Sequence, residues 1–138
     1  MYLDQGHQVG NHTMHHLKGF NTESERYLMD VEEADQYIHS NLLRPPYGRI
    51  KFKQLRALKN KYHIVMWDVI TRDYNSKLSP EKILRIVKRY TRDGSIIVFH
   101  DSLKSIKTLK VALPQCIEFL QEKGYEIALL PKNPPISL

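Results

Sequence analysis

The feature that most constrains this chain is a regular alternation of short apolar runs and longer amphipathic segments. The apolar runs predict strands at residues 8–12, 42–43, 63–68, 96–99 and 125–130. Between them, apolar residues recur every three or four positions, which is typical of helices that bury one face. Strands separated by helices predict βαβ units and a parallel sheet. We therefore expect an α/β fold with about five βα units.

Local signals predict where the helices begin and which faces they bury. Thr22–Glu25 has the form of a capping box, so the first helix is expected to begin at Asn21 or Thr22. Ser79 followed by Pro80 predicts the start of the third helix, because a capping hydroxyl and an early proline favour initiation. The predicted buried positions are Tyr27, Val31, Ala34 and Ile38; Phe52, Leu55, Leu58 and Tyr62; Ile83, Ile86, Val87 and Tyr90; and Leu109, Leu113, Cys116, Ile117 and Leu120.

The composition limits the classes of protein to which the chain can belong. Its 138 residues predict a single domain spanning 1–138, and 41% hydrophobic with 26% charged residues is ordinary for a globular protein. The net charge of +6 admits a nucleic-acid-binding surface, but basic residues at helical spacing favour solvated helix faces, so no nucleic-acid partner is expected. The lone Cys116 excludes an internal disulfide and is predicted to lie in the core.

No apolar run approaches the roughly 20 residues that a membrane-spanning helix needs. The N-terminal residues 1–6 are polar and lack the apolar segment of a signal peptide. The chain as given is therefore expected to be cytoplasmic. An extracytoplasmic location would follow if an N-terminal segment had been lost.

Chemically capable side chains follow four of the five predicted strands. The groups are His12, His15 and His16; Arg44 and Tyr47; Asp68 and Asp73; and His100 with Asp101. Sites in parallel α/β folds assemble at the carboxyl ends of strands, so these residues are expected to converge on one face.

The spacing His12-x-x-x-His16 would place two imidazoles within reach of one cation. The spacing alone also admits His15 in place of His16, or a pair of ordinary surface residues. A catalytic zinc site usually has a third protein ligand, often a carboxylate, and no acid lies near this motif in the sequence.

The other strand ends offer groups for charge stabilisation and proton transfer. Arg44 could hold a carboxylate, and the prolines after it fix the backbone so that the Tyr47 N–H could face a developing oxyanion. Asp68 and Asp73 are both candidates for orienting Arg44 or a histidine. His100 ends an apolar strand beside an acid, which favours a general-acid role.

These residues, in this order, resemble four motifs of the NodB-homology polysaccharide deacetylases, the fourth carbohydrate esterase family. His12-Thr-Met-His-His16 resembles the second motif, and Arg44-Pro-Pro-Tyr47 the third. Trp67–Tyr74 resembles the fourth motif and Val98–Asp101 the fifth, although Tyr74 stands where the family usually has tryptophan. The resemblance implies a distorted (β/α) barrel, here an incomplete one.

The resemblance also implies a divalent metal, most often zinc, held by two histidines and an aspartate. Transferred to this sequence, His12 and His16 are metal ligands, Arg44 positions the catalytic base and the Tyr47 amide belongs to the oxyanion hole. Asp73 then tunes His100, and His100 protonates the leaving amine. The implied reaction is hydrolysis of N-acetyl groups on an acetylated polysaccharide or oligosaccharide.

Nothing in the chain matches the family's first motif, which carries the base and the third metal ligand. We therefore expect an N-terminally truncated domain of low activity, with an uncovered barrel edge that promotes self-association. The alternative is a non-catalytic remnant or carbohydrate-binding module of the same fold.

Overall fold

The computed structural model of the chain describes residues 3–131 and has a mixed α/β architecture. All of its strand pairs are parallel, as the sequence predicts: β1 pairs with β2, and β3 with β4. The strands are Leu42–Leu43 (β1), His63–Ile64 (β2), Val69–Ile70 (β3) and Ile97–Val98 (β4). The α-helices are Ser24–Ile38 (α1), Phe52–Leu58 (α2), Pro80–Tyr90 (α3) and Ile106–Glu122 (α4). The incomplete barrel stays a prediction.

The chain divides into two compact units, and each has its own apolar core. Within residues 3–131, the first unit consists of residues 3–66 and 129–131, and the second unit is Trp67–Ala128. The first core contains Tyr27, Val31, Leu43, Leu58, Tyr62 and Ile64. The second core contains Ile83, Val87, Ala112, Cys116 and Leu120. The predicted burial of Cys116 is confirmed, and this burial raises the pKa of its thiol to about 11.

The fourth predicted strand is shortened to β4, and three others are reduced to a bridge, split or absent. The first is reduced to one bridge, in which the Asn11 N–H donates to Leu42 O and Asn11 O accepts from the Arg44 N–H. The third is split, because Val65–Asp68 belongs to neither β2 nor β3. Residues 125–130 form no strand; instead the Gln8 side-chain amide bonds both the N–H and the carbonyl of Leu130, at 3.0 Å each.

Helix faces follow the predicted periodicity except at Phe52, Tyr90 and Ile117. Ile117 was predicted to be buried but is exposed inside α4, because the buried stripe there runs through Leu109, Ala112, Cys116 and Leu120. The predicted capping box is wrong: α1 begins at Ser24, and the Thr22 hydroxyl donates to Lys18 O instead of capping it. The Ser79 cap of α3 is confirmed, since its hydroxyl accepts from the Lys82 N–H. Phe52 and Tyr90 are exposed, because each lies at a terminus where the apolar stripe runs past its core.

Among the described residues, none of the helices combines the length and hydrophobicity that spanning a bilayer requires.

Candidate active site

The residues around His12–His16 form a loop held by short polar contacts. Asn11, which is buried, donates from Nδ2 to Val31 O at 2.9 Å and accepts from the Thr13 N–H at 2.9 Å. The Thr13 hydroxyl in turn accepts from the Leu17 N–H at 3.1 Å. Thr13 and His16 adopt left-handed backbone angles, with φ of 63° and 54°. Because such angles are unfavourable for residues with side chains, these contacts are needed to hold the loop.

The loop brings the two predicted metal ligands together. The His12 and His16 rings lie 4.9 Å apart between centroids, at 69° to each other. His12 Nδ1 is 2.5 Å from the carbonyl oxygen of Arg44, which can only accept a hydrogen bond. His12 therefore carries its proton on Nδ1, and Nε2 is the ring nitrogen that would bind a metal. A backbone carbonyl on the opposite ring nitrogen is a common support for such a ligand.

The third histidine of the motif is engaged elsewhere. His15 Nδ1 lies 2.6 Å from Asp30 Oδ1, and the His15 backbone N–H donates to Asp30 Oδ2 at 3.0 Å. The Met14 N–H also donates to the Asp30 carbonyl, at 3.2 Å. These contacts tie His15 to α1, whereas the His16 ring lies 4.9 Å from that of His12, which favours His16 as the partner of His12.

The contact between His15 and Asp30 changes the pKa of both groups. The hydrogen bond to Asp30 raises the pKa of His15 above its ordinary value. Burial alone would raise the pKa of Asp30, but the hydrogen bonds from His15 outweigh it and lower that pKa. The two side chains therefore favour an ion pair, with Asp30 deprotonated and His15 protonated.

Asp30 was not singled out from the sequence. It lies on the face of α1 that buries Tyr27, Val31 and Ala34, and it is itself buried. An acid among the apolar positions of an amphipathic helix is the signal that would have identified it, because buried carboxylates require partners.

Arg44 and Tyr47 lie in the same unit as the His12–His16 loop. Arg44 Nε donates to Val65 O at 3.1 Å and Nη2 lies 3.5 Å from Met66 O. Burial lowers the pKa of its guanidinium, although arginine stays protonated near neutral pH. Pro45 and Pro46 are buried, and the following Tyr47 has a left-handed backbone with φ 59° and ψ 9°. The Tyr47 ring packs edge-on against His16 at 4.8 Å.

Two imidazoles and the support from Arg44 O fit one side of a divalent-metal site. Within residues 3–131, however, no group of three mutually close His, Cys, Asp or Glu donors contains both His12 and His16. The only such group within these residues is His15, Asp30 and Glu33, where both Asp30 oxygens already bond His15.

The second unit holds the predicted acid and its partner. Asp73 is fully buried; its Oδ1 lies 2.7 Å from His100 Nδ1, and its Oδ2 accepts from the His100 N–H at 2.7 Å. The Thr71 hydroxyl is 3.1 Å from Asp73 Oδ1. The His100 ring packs edge-on against Tyr74 at 4.8 Å. With the carboxylate accepting at Nδ1, His100 offers Nε2 for chemistry.

The structure also separates the two candidate aspartates. Asp68 Oδ1 accepts from the Ile96 N–H and Oδ2 from the Ser95 hydroxyl, both at 2.8 Å. Asp68 therefore fixes the loop that leads into β4, and Asp73 is the one that orients a histidine.

Comparison with known proteins gives the same family by sequence and by structure. A family model described as polysaccharide deacetylase matches residues 1–67. The chitooligosaccharide deacetylase of Sinorhizobium fredii is 31% identical over 147 residues, which cover 94% of this chain and 68% of that protein. The peptidoglycan-N-acetylglucosamine deacetylase of Bacillus cereus is 28% identical over 131 residues, which cover 89% of this chain and 61% of that protein.

The fold is similar to that of a solved enzyme. A family 4 carbohydrate esterase from Streptomyces lividans, in complex with acetate, superposes with a TM-score of 0.80 at 28% identity. The match covers 94% of this chain and 68% of that structure. The chain thus spans roughly two thirds or less of the relatives it matches, which extend beyond the matched region.

Proposed function

The chain belongs to the polysaccharide deacetylase family, and from this premise we propose that it is a metal-dependent hydrolase of N-acetyl groups. Its substrate would be an acetylated polysaccharide, and its products acetate and a free amino sugar. The observation that supports this most is the His12 Nδ1 contact with Arg44 O, beside the His16 ring. It orients an imidazole as a metal ligand is usually oriented.

We assign His12 and His16 as the residues that would hold a divalent cation, with zinc as the first candidate. When bound, such a cation supplies Lewis-acid polarisation of the acetamido carbonyl and of a water molecule. His16 is proposed as the second ligand instead of His15, because the His16 ring lies beside that of His12, at 4.9 Å, whereas Asp30 ties His15 to α1.

Tyr47 is proposed to stabilise the oxyanion through its backbone rather than its ring. Its left-handed conformation follows two buried prolines, and within residues 3–131 its N–H meets no hydrogen-bond acceptor. An N–H held in this way can donate to negative charge as it develops. Arg44 is proposed to position the catalytic base, with its guanidinium already anchored on Val65 O.

His100 is proposed as the general acid. Asp73 accepts the Nδ1 proton, which fixes the orientation of the ring and turns Nε2 away from the carboxylate. A proton on Nε2 would pass to the leaving amine, because an amine leaves more easily once it is protonated. Asp73 acts through His100 and is therefore a positioning residue.

The 138-residue chain is proposed to work slowly by itself. Two imidazoles without a nearby carboxylate bind a divalent cation weakly, and residues 3–131 group no third donor with them. The same observation favours the second candidate function, a non-catalytic module that keeps the glycan-binding surface.

Zinc titration together with acetate release tests the proposal. His12→Ala and His16→Ala should abolish zinc binding, whereas His15→Ala and the exposed control His7→Ala should retain it. Acetate release from acetylated chito-oligosaccharides with added zinc should be slow and should be lost in His100→Ala. Zinc binding that survives both ligand changes but not His15→Ala would overturn the ligand assignment. Zinc binding without any acetate release would favour the non-catalytic module.

A further inference from the structure

Among the exposed aromatic side chains of the first unit, Phe20, Tyr47 and Phe52 each lie beside a basic side chain. Phe20 is 53% exposed, Tyr47 54% and Phe52 75%. Each has a basic side chain over its ring: Lys18 Nζ lies 4.7 Å from the Tyr47 ring centre, Arg49 Cζ 5.9 Å from that of Phe20, and Arg56 Cζ 5.7 Å from that of Phe52. We call these six residues the basic aromatic surface.

The two segments that carry this surface are joined through Gly19. Its N–H donates to Arg49 O at 3.1 Å, and its carbonyl accepts from Gln54 Nε2 at 3.0 Å. A Cβ at Gly19 would lie 2.5 Å from Arg49 O and 2.9 Å from Ile50 Cα, so only glycine allows this approach. The basic aromatic surface is therefore a fixed feature of the unit.

The surface is positive and lacks carboxylate partners. Neither residues 5–22 nor residues 36–67 contain an aspartate or a glutamate. Lys18, Arg49 and Arg56 form no ion pair within the part of the chain that the structure describes. Unpaired cations next to exposed rings match a ligand that is both anionic and partly apolar.

One pair of this surface, Tyr47 with Lys18, adjoins a proposed metal ligand. The Tyr47 ring contacts Lys18 on one side and the His16 ring on another. A polymer with one sugar at His16 could therefore extend over the basic aromatic surface.

We propose that this surface binds the part of an acetylated glycan that lies beyond the reacting sugar, and that it selects glycans bearing carboxylates. The aromatic rings would cover the apolar C–H faces of sugar rings, and the arginine forks would pair with carboxylates. The inference rests on the proposed function for the identity of the polymer. It adds that the substrate is anionic, as in peptidoglycan strands that keep their peptide carboxylates, and not neutral as in chitin.

Binding of the full 138-residue chain to three probes tests the inference. The probes are soluble peptidoglycan strands, the same strands with their carboxylates amidated, and neutral chito-oligosaccharides of similar length. The test variant is Arg49→Gln with Arg56→Gln. Its matched control is Arg85→Gln with Arg89→Gln on α3, which removes the same charge and includes the contact of Arg89 with the exposed Tyr90.

We expect the test variant to bind untreated strands about three- to tenfold less tightly, since it removes two exposed charge pairs and each such pair contributes little. Amidation of the strands should have the same effect on the unaltered chain, and the control should bind as the unaltered chain does. Equal affinity for all three probes, or an equal loss in the control, would overturn the inference.

A single-stranded oligonucleotide provides the competing outcome. If it binds more tightly than the carboxylate-bearing strands and through the same arginines, the surface is a nucleic-acid site and the inference fails. Acetate release that is equal on neutral and anionic glycans would also refute the inference, while leaving the proposed function intact. Carboxylate-dependent binding without acetate release would support the inference about binding and refute the proposed hydrolase function.

Discussion

The two units each hold a histidine against an aspartate in nearly the same way. In both pairs one carboxylate oxygen lies against histidine Nδ1, at 2.6 Å for His15–Asp30 and 2.7 Å for His100–Asp73. In both, the other oxygen accepts from the backbone N–H of that histidine. The local contact is therefore the same, and the difference between the pairs lies in their surroundings.

Asp30 belongs to α1, and the His15 side chain is 63% exposed next to His16, whose ring contacts those of His12 and Tyr47. Asp73 is fully buried, and the His100 side chain is 36% exposed with its ring against Tyr74. The first pair ties a loop to a helix. In the second pair a buried carboxylate holds the His100 ring by Nδ1 and leaves Nε2 facing away from it. A histidine–aspartate contact thus does not by itself identify an acid–base group.

The largest effect is expected from breaking the pair in the second unit. Asp73→Asn should lower kcat for acetate release, measured at saturating zinc, by about 10²- to 10⁴-fold, because His100 loses the group that fixes its tautomer. Zinc affinity should stay unchanged. Asp68→Asn is the matched control, because Asp68 bonds only the loop before β4, and it should leave kcat per folded molecule near the starting value. A similar loss in both variants would mean that Asp73 has only a structural role.

A smaller and different effect is expected from the pair in the first unit. Asp30→Asn should weaken zinc affinity by less than either ligand substitution does, because Asp30 contacts no proposed ligand and only helps to hold the loop that carries them. At saturating zinc, kcat should be preserved, and Asp30→Glu should recover part of the affinity. Unchanged zinc affinity in a folded Asp30→Asn variant would show that the loop does not depend on this contact.

The smallest effect is a pH-dependent change in stability on His15→Ala. Because Asp30 raises the pKa of His15 above 6.5, the stabilisation is present below that pH and is lost as the pH rises through the higher folded-state pKa. The lowered pKa of Asp30 sets the acid limit of this stabilisation. The contribution of Asp30 to stability is present above pH 3.8 and is lost as the pH falls through the lower folded-state pKa.

The urea midpoints of the unaltered chain and His15→Ala should therefore differ most between about pH 4 and 6.5 and converge above that range. A difference that grows toward alkaline pH would contradict the ion pair.

Much of the fold was predictable because local patterns decide it. The helical stripes around Val31, Val87 and Cys116 and the parallel strands at Leu43 and Val98 follow from periodicity. The absence of a strand at residues 125–130 was not predictable, because Leu130 bonds the side chain of Gln8, which is distant in the sequence. Phe52 was predicted to be buried but is exposed, because helical spacing does not show where a core ends.

The candidate site was predictable as a set of residues but not as a set of contacts. His12, His16 and Arg44 follow from motif resemblance, yet the spacing could not decide between His15 and His16. That choice depends on Asp30, which lies 15 residues from His15 on a helix and bonds it through space. Likewise, only the fold separates Asp73, which bonds His100, from Asp68, which bonds a loop.

The most direct test of the different roles of the two pairs is a zinc titration followed through the histidine ring nitrogens by ¹⁵N NMR. The resonances of His12 and His16 should shift as zinc is added near pH 6, while His15 stays protonated on both nitrogens and paired with Asp30. His100 should keep its Nδ1 proton throughout. Loss of a His15 proton to zinc, with His16 unaffected, would contradict this account of the metal ligands and of the loop that supports them.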